Sequence, residues 1–197
     1  MITDKYITGE IEPLTPLNTV GDAIERMGTQ HVDLLPVVFN SHLVNYASYD
    51  DIEDLERNTL LSEIEPYATV LPFATLNQHL LNALTHLKKL NVSLMAVLDE
   101  HGVYQGTLKT RDVVQAISQS LSIRAGGSII VLRIKPIDYS LSDLSRIIEY
   151  SDAKILGFFI FEHEDNGDLE VHLKLNTTVL KHILATLERY DYNVVQY

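Results

Sequence analysis

LMAVLDEHGVYQGTLKTRDVV, residues 94–114, reads as a short apolar strand, a turn, a second strand and the opening of a helix. Leu94-Met95-Ala96-Val97-Leu98 is an unbroken apolar run, the pattern of a strand covered on both faces. Asp99-Glu100-His101-Gly102 supplies the turn, and Val103–Leu108 the second strand. Lys109-Thr110-Arg111-Asp112-Val113 then enters a helix through a polar residue and an aspartate. About sixty residues earlier the same order occurs, with Leu34-Leu35-Pro36-Val37-Val38, the turn Asn40-Ser41-His42, Leu43–Ala47, and Ser48-Tyr49-Asp50-Asp51-Ile52. Each apolar run follows a helical pattern: Val20, Ala23, Ile24 and Met27 in the first copy, Leu80, Ala83, Leu84 and Leu87 in the second. Short strand stretches near Glu10–Glu12 and Thr69–Leu71 complete two βαββα units, residues 1–60 and 61–122.

Beyond the Ser/Gly-containing joint at Ser118–Gly127 the pattern changes. Ser128–Ile134 is a β-branched strand, and Ser140 caps a helix with Leu141, Leu144, Ile147 and Ile148 on one face and Asp143 in its first turn. Lys154–Glu162 and Leu169–Leu175 are strands joined through Asn166-Gly167, Thr177–Tyr190 is a second amphipathic helix, and Tyr192–Gln196 is a last strand. Residues 127–197 therefore read βαββαβ, the ferredoxin-like order. A two-residue Asn-Gly turn would put Phe158, Ile160 and Glu162 with Leu175, Leu173 and Val171 on the face that meets the helices. Phe159, Phe161 and His163 would lie on the other face beside Lys174, His172 and Glu170. Two phenylalanines on an open sheet face predict a partner surface, unless residues 1–125 cover them.

The doubled unit resembles a CBS domain: L-P-V-V at the buried strand, a hairpin, and G-x-x-T-x-x-D opening the last helix, matched by Gly106 and Asp112 in one copy and by Ser48 and Asp51 in the other. The fold class expected is α/β and α+β, two CBS repeats packed as a pair followed by an ACT-like ferredoxin-fold module. The whole resembles the acetoin-utilisation B-type regulatory proteins. Asp138–Leu144 stands where ACT domains hold small ligands, without the glycine usual in that turn.

This resemblance implies a regulatory ligand, an adenosine nucleotide (AMP, ADP, ATP) or S-adenosylmethionine. The helix-opening aspartate would accept from ribose hydroxyls, and the hydroxyl residue three positions earlier would meet ribose or phosphate. Ser48 and Asp51 keep that spacing, but they stand among Asp50, Glu53, Asp54 and Glu56, so an uncharged group suits them better. Asp112 has Lys109 in place of the hydroxyl, and with Arg111 this second site suits a phosphate. The alternative is a structural or protein-interaction module whose Asp51 and Asp112 only cap helices. CBS pairs also associate into flat dimers, so a homodimer is expected.

Composition narrows the function classes. The chain of 197 residues carries a net charge of −12: −8 over residues 1–125 and −4 over 126–197, with no basic cluster. Nucleic acid and anionic membrane are therefore not expected partners. The absence of cysteine excludes thiol catalysis and disulfide scaffolds, and with no signal-like N-terminus the expected setting is cytoplasmic. The acidic run Asp50–Glu56 reads as a solvated helix face, and His79 and His86, seven apart, as surface residues rather than metal ligands. No nucleophile or phosphate-loop motif appears, so no enzyme is expected.

Overall fold

The computed structural model describes residues 2–68, 70–163 and 167–197. It forms two compact units, Met1–Ala116 and Ile117–Tyr197.

The first unit holds α1 (Val20–Gln30), β1 (Leu34–Phe39), β2 (His42–Ser48) and a one-turn α2 (Tyr49–Ile52), then β3 (Phe73–Thr75), α3 (Leu80–Leu90), β4 (Leu94–Leu98), β5 (Tyr104–Lys109) and the start of α4 (Thr110–Ser118). β1 pairs antiparallel with β2, while β4 lies between parallel β3 and antiparallel β5. α1 begins in a capping box: the Asp22 amide donates to Thr19 Oγ1 at 3.1 Å, and the Thr19 amide donates to Asp22 Oδ2 at 2.9 Å. That bond holds the Asp22 carboxyl below the usual carboxylate range. α1 and α3 end on residues at equivalent positions, His31 and Asn91, with φ of 54° and 52°. Val20, Ala23 and Met27 of α1 and Leu80, Ala83 and Leu87 of α3 are buried, as their helical spacing demands. Those of α1 share a core with Leu35 and Val37 of β1, and Leu94–Val97 of β4 are buried as well.

Three sequence expectations change here. No strand forms at Glu10–Glu12. Leu14 instead makes a single parallel bridge to Val37, and Pro13 and Pro16 on either side lack the amides a longer ladder needs. The strand expected near Thr69–Leu71 is β3, beyond Pro72, and Thr69 itself lies outside the described residues. The acidic run is no helix face, because α2 stops at Ile52; like charges three and four apart oppose its extension.

The second unit holds the end of α4, α5 (Leu121–Arg124), β6 (Ile129–Ile134), α6 (Leu141–Glu149), β7 (Ile155–Glu162), β8 (Leu169–Leu175), α7 (Lys181–Arg189) and β9 (Asn193–Gln196). Its antiparallel sheet runs β7-β8-β6-β9. Leu144, Ile147 and Ile148 of α6 and Ile183 and Leu187 of α7 pack on Ile130, Leu132, Val171, Leu173 and Leu175. Ser140 caps α6 by accepting from the Asp143 amide at 3.3 Å.

The β7–β8 register differs from the Asn-Gly expectation by two residues. Phe158 faces Leu173, Ile160 faces Val171 and Phe161 faces Glu170, and His163 and Asp168 close the loop with a 2.7 Å backbone bond. Asn166 of the expected turn lies outside the described residues. A shift of two keeps every side chain on its expected face. Coverage of that face is what fails: β7 is an edge strand, and Phe158 and Ile160 are each 40% exposed, nearly as open as Phe159 at 49% and Phe161 at 55%.

Candidate functional site

A groove of about 1460 Å³ lies between the two repeats of the first unit. Its walls are matched pairs from equivalent positions: Ile24 with Leu84, Met27 with Leu87, His31 with Asn91, and Val32 with Val92. Asp33 and Ser93, another equivalent pair, hydrogen-bond to one another. The groove therefore straddles the local two-fold that relates the copies. Its floor is apolar because each helix turns its core stripe and the residue beside it toward the partner repeat.

The polar rim breaks this symmetry. Gly28 of the first repeat is matched by Lys88, and Lys109 and Arg111 also come from the second repeat. Asp33, from the first repeat, is the one carboxylate among the lining residues. In a chain of net charge −12, this groove is locally cationic.

The structure divides the five residues picked out by sequence. Lys109 and Arg111 line the groove; Ser48, Asp51 and Asp112 do not, although Tyr49, next to Ser48, does. The Lys109 side chain is 11% exposed, with its Nζ 3.8 Å from the exposed Glu10 carboxylate. Arg111 is 76% exposed, and its Nε donates to Asp112 Oδ1 at 3.4 Å. Ser48 precedes α2 without a capping bond from its side chain, and Asp51 is exposed.

Sequence reasoning missed a tyrosine cluster between the repeats. The Tyr46 hydroxyl donates to Pro72 O at 2.6 Å and accepts from the Ala96 amide at 2.8 Å, tying β2 of one copy to β4 of the other. Its ring lies 5.7 Å from Tyr67, whose hydroxyl is pushed up by burial and by the carboxylates of Asp51 and Asp33. Burial also raises Tyr46, and pushes Tyr104 up to about 12. The Tyr104 hydroxyl is buried with no hydrogen-bond partner among the described residues. Nothing in the local sequence marks these residues, since each contact joins segments far apart in the chain. His79 is a second omission: its Nδ1 accepts from the Leu81 amide at 3.3 Å, capping α3.

Among the described residues, no group of three or more His, Cys, Asp or Glu could hold a metal ion, and no helix is long and apolar enough to cross a membrane.

No family model matches the chain, and no curated protein matches it. Solved structures do. The CBS domains of a transcriptional regulator from Streptococcus pneumoniae match 58% of this chain and 98% of their own, at 16% identity and a TM-score of 0.54. A CBS domain pair/ACT domain protein from Thermotoga maritima matches 61% of this chain and 99% of its own, at 18% identity and a TM-score of 0.54. CBSX2, solved in complex with AMP, matches 60% and 96%, at 21% identity and a TM-score of 0.50. The chain therefore carries the fold of a CBS-domain pair, which the twice-repeated first unit provides.

Proposed function

We propose that this protein is a non-enzymatic regulatory module that senses an adenosine-containing metabolite through its CBS pair, with an ACT-like second unit and a homodimeric assembly. The observation that carries the ligand reading is the asymmetry of the groove, an apolar floor with Lys88, Lys109 and Arg111 all on the second repeat's side. A phosphate set against these cations would give the largely buried Lys109 ammonium a closer partner than Glu10 at 3.8 Å. The flat base would lie on the apolar floor, and Asp112, in the first turn of α4, would accept from ribose hydroxyls. Ser48 and Asp51 form the second site, suited to an uncharged adenosine or S-adenosyl group. The CBSX2 complex with AMP supports the ligand class. The sheet order β7-β8-β6-β9 with its two helices supports the ferredoxin-like, ACT-type reading of the second unit.

The test is a thermal-shift screen of AMP, ADP, ATP, adenosine and S-adenosylmethionine. A ligand at a hundred times its dissociation constant adds about 2.7 kcal/mol to stability, which raises Tm by about 2–4 °C per kcal/mol at this chain length. Lys109→Met should weaken phosphate-bearing ligands about tenfold or more, the loss of one charge-assisted bond. Adenosine itself should be unaffected. A flat screen at millimolar concentration favours the structural reading instead.

A further inference from the structure

On the sheet of the second unit, the face turned away from α6 and α7 carries a depression of about 480 Å³. Strand alternation builds it. Ile130 and Leu132 of β6 and Val171, Leu173 and Leu175 of β8 pack under the helices, so Ile129, Val131, His172 and Lys174 fall on the opposite face. The antiparallel register sets them side by side, with Ile129 opposite Lys174 and Val131 opposite His172. Gln196 and Tyr197, at the end of β9, line one side. On the other side Gly157 opposes Lys174, and α5 lies against it: a Cβ there would stand 2.5 Å from Ser122 Cβ. The depression therefore joins a polar column on β8 to an apolar column on β6, with Val131 buried at its floor.

Its charge is unbalanced. Arg133, next along this face of β6, is taken by Glu170 at 3.1 Å, and that bond holds the Glu170 carboxyl below the usual carboxylate range. His172 Nε2 stands 3.8 Å from the same carboxylate. Lys174 has no such counter-ion. Among the described residues its ammonium hydrogen-bonds only Gly127 O, at 3.2 Å, and no carboxylate lies within ion-pair distance. None of the described residues lining the depression is acidic. In a stretch of net charge −4, residues 126–197, this is a local reversal of sign.

We infer that this depression binds a small organic carboxylate with an apolar body and no amino group. The carboxylate meets Lys174 beside the His172 ring, and the body lies over Val131 and Ile129. Three observations set the class. An ammonium with donors to spare and no counter-ion calls for an anion. The apolar column directly across from it calls for an apolar body on that anion. A lining without Asp or Glu leaves an amino group unpaired, so a free amino acid is disfavoured. A phosphate is poorly served as well, because Arg133 is already held by Glu170. The site is distinct from Asp138–Leu144 and from the groove of the first unit, and it stands independently of the nucleotide reading.

Phenylacetate is the probe, with phenylacetamide as its uncharged counterpart and phenylalanine as its amine-bearing one. Titrated into the isotope-labelled full-length chain and followed by amide NMR, phenylacetate should shift Ile129, Val131, His172 and Lys174. Its dissociation constant should be about a millimolar, the scale for a shallow site and roughly ten non-hydrogen atoms. Phenylacetamide and phenylalanine should bind about tenfold more weakly or worse, the worth of one charge-assisted hydrogen bond. Lys174→Met should weaken phenylacetate by the same factor, and Lys174→Arg should keep it. Ile129→Glu, at a position 49% exposed, sets a carboxylate directly opposite Lys174 and should abolish phenylacetate binding while Tm holds. Shifts absent from these four residues at about 20 millimolar probe, well above the expected constant, would overturn the proposal. So would equal binding of phenylacetamide or phenylalanine, or a folded Lys174→Met that binds as wild type does. None of these results bears on the thermal-shift screen, which reads the first unit with nucleotides.

Discussion

Replacing Tyr46 by phenylalanine removes one oxygen from the seam between the two repeats. That oxygen serves two buried backbone groups at once, accepting from the Ala96 amide at 2.8 Å and donating to Pro72 O at 2.6 Å, in a residue only 3% exposed. Phenylalanine fills the same space and leaves both groups unpaired. An unsatisfied buried group costs about 1–3 kcal/mol, and partial relaxation of the segment before β3 offsets some of this. The expected loss is therefore about 2–4 kcal/mol, or a Tm lower by roughly 4–16 °C at this chain length. Tyr104→Phe is the matched control, since its hydroxyl is buried without a partner among the described residues. Removing it should leave stability unchanged or raise it by up to about 1 kcal/mol. Urea unfolding of the two variants beside wild type, monitored by far-ultraviolet circular dichroism, measures both. A Tyr46→Phe loss below about 0.5 kcal/mol, or equal losses at the two positions, would refute the seam argument.

Four further outcomes are expected. Burial raises the Tyr46 and Tyr104 hydroxyls above their ordinary value, so the folded state holds protons that the unfolded state releases. Their contribution is then complete below pH 10 and is lost as pH rises from 10 toward about 12; a pH series of urea midpoints should fall in that window, and less steeply for Tyr104→Phe. Gly106 has φ of 144°, and a Cβ there would stand 2.4 Å from Ile7 Cγ2, so Gly106→Ala should cost at least about 1–3 kcal/mol by thermal unfolding. Thr19→Ala deletes the cap of α1 and should cost about 1 kcal/mol by the same measure. Arg111→Glu should abolish the salt dependence of AMP binding by titration calorimetry, because it reverses one of the three groove cations.

The repeat was legible because each copy carries its own periodic signal: apolar residues at helical spacing, then an unbroken apolar run. Those residues are the buried ones, from Val20 and Met27 to Leu94–Val97. The groove was legible only in part. Lys109 and Arg111 could be chosen from their neighbourhood in the chain, but Lys88 could not, since what brings it to the rim is the approach of the two repeats along the groove. Ser48 and Asp51 were expected from local spacing alone. The four-residue α2 that carries Asp51 ends in a stretch of like charge, which sequence periodicity weighs too lightly. The β7–β8 hairpin shows the same division: alternation assigned the faces correctly, while the two-residue shift in register and the place of β7 at the edge depend on a loop and a sheet order that alternation does not encode.

The Asp33–Ser93 hydrogen bond bears on how a duplicated chain keeps its halves from exchanging. The two residues occupy the same place in their respective copies and meet across the local two-fold. A pair made of two first halves would press Asp33 against another Asp33, carboxylate against carboxylate. A pair of two second halves would set Ser93 against Ser93 and bring together two sets of Lys88, Lys109 and Arg111. Each half is thus chemically matched to the other and mismatched to itself. Fragments severed between the copies should reassemble as mixed pairs, and the tandem arrangement has become a heterodimer written on one chain.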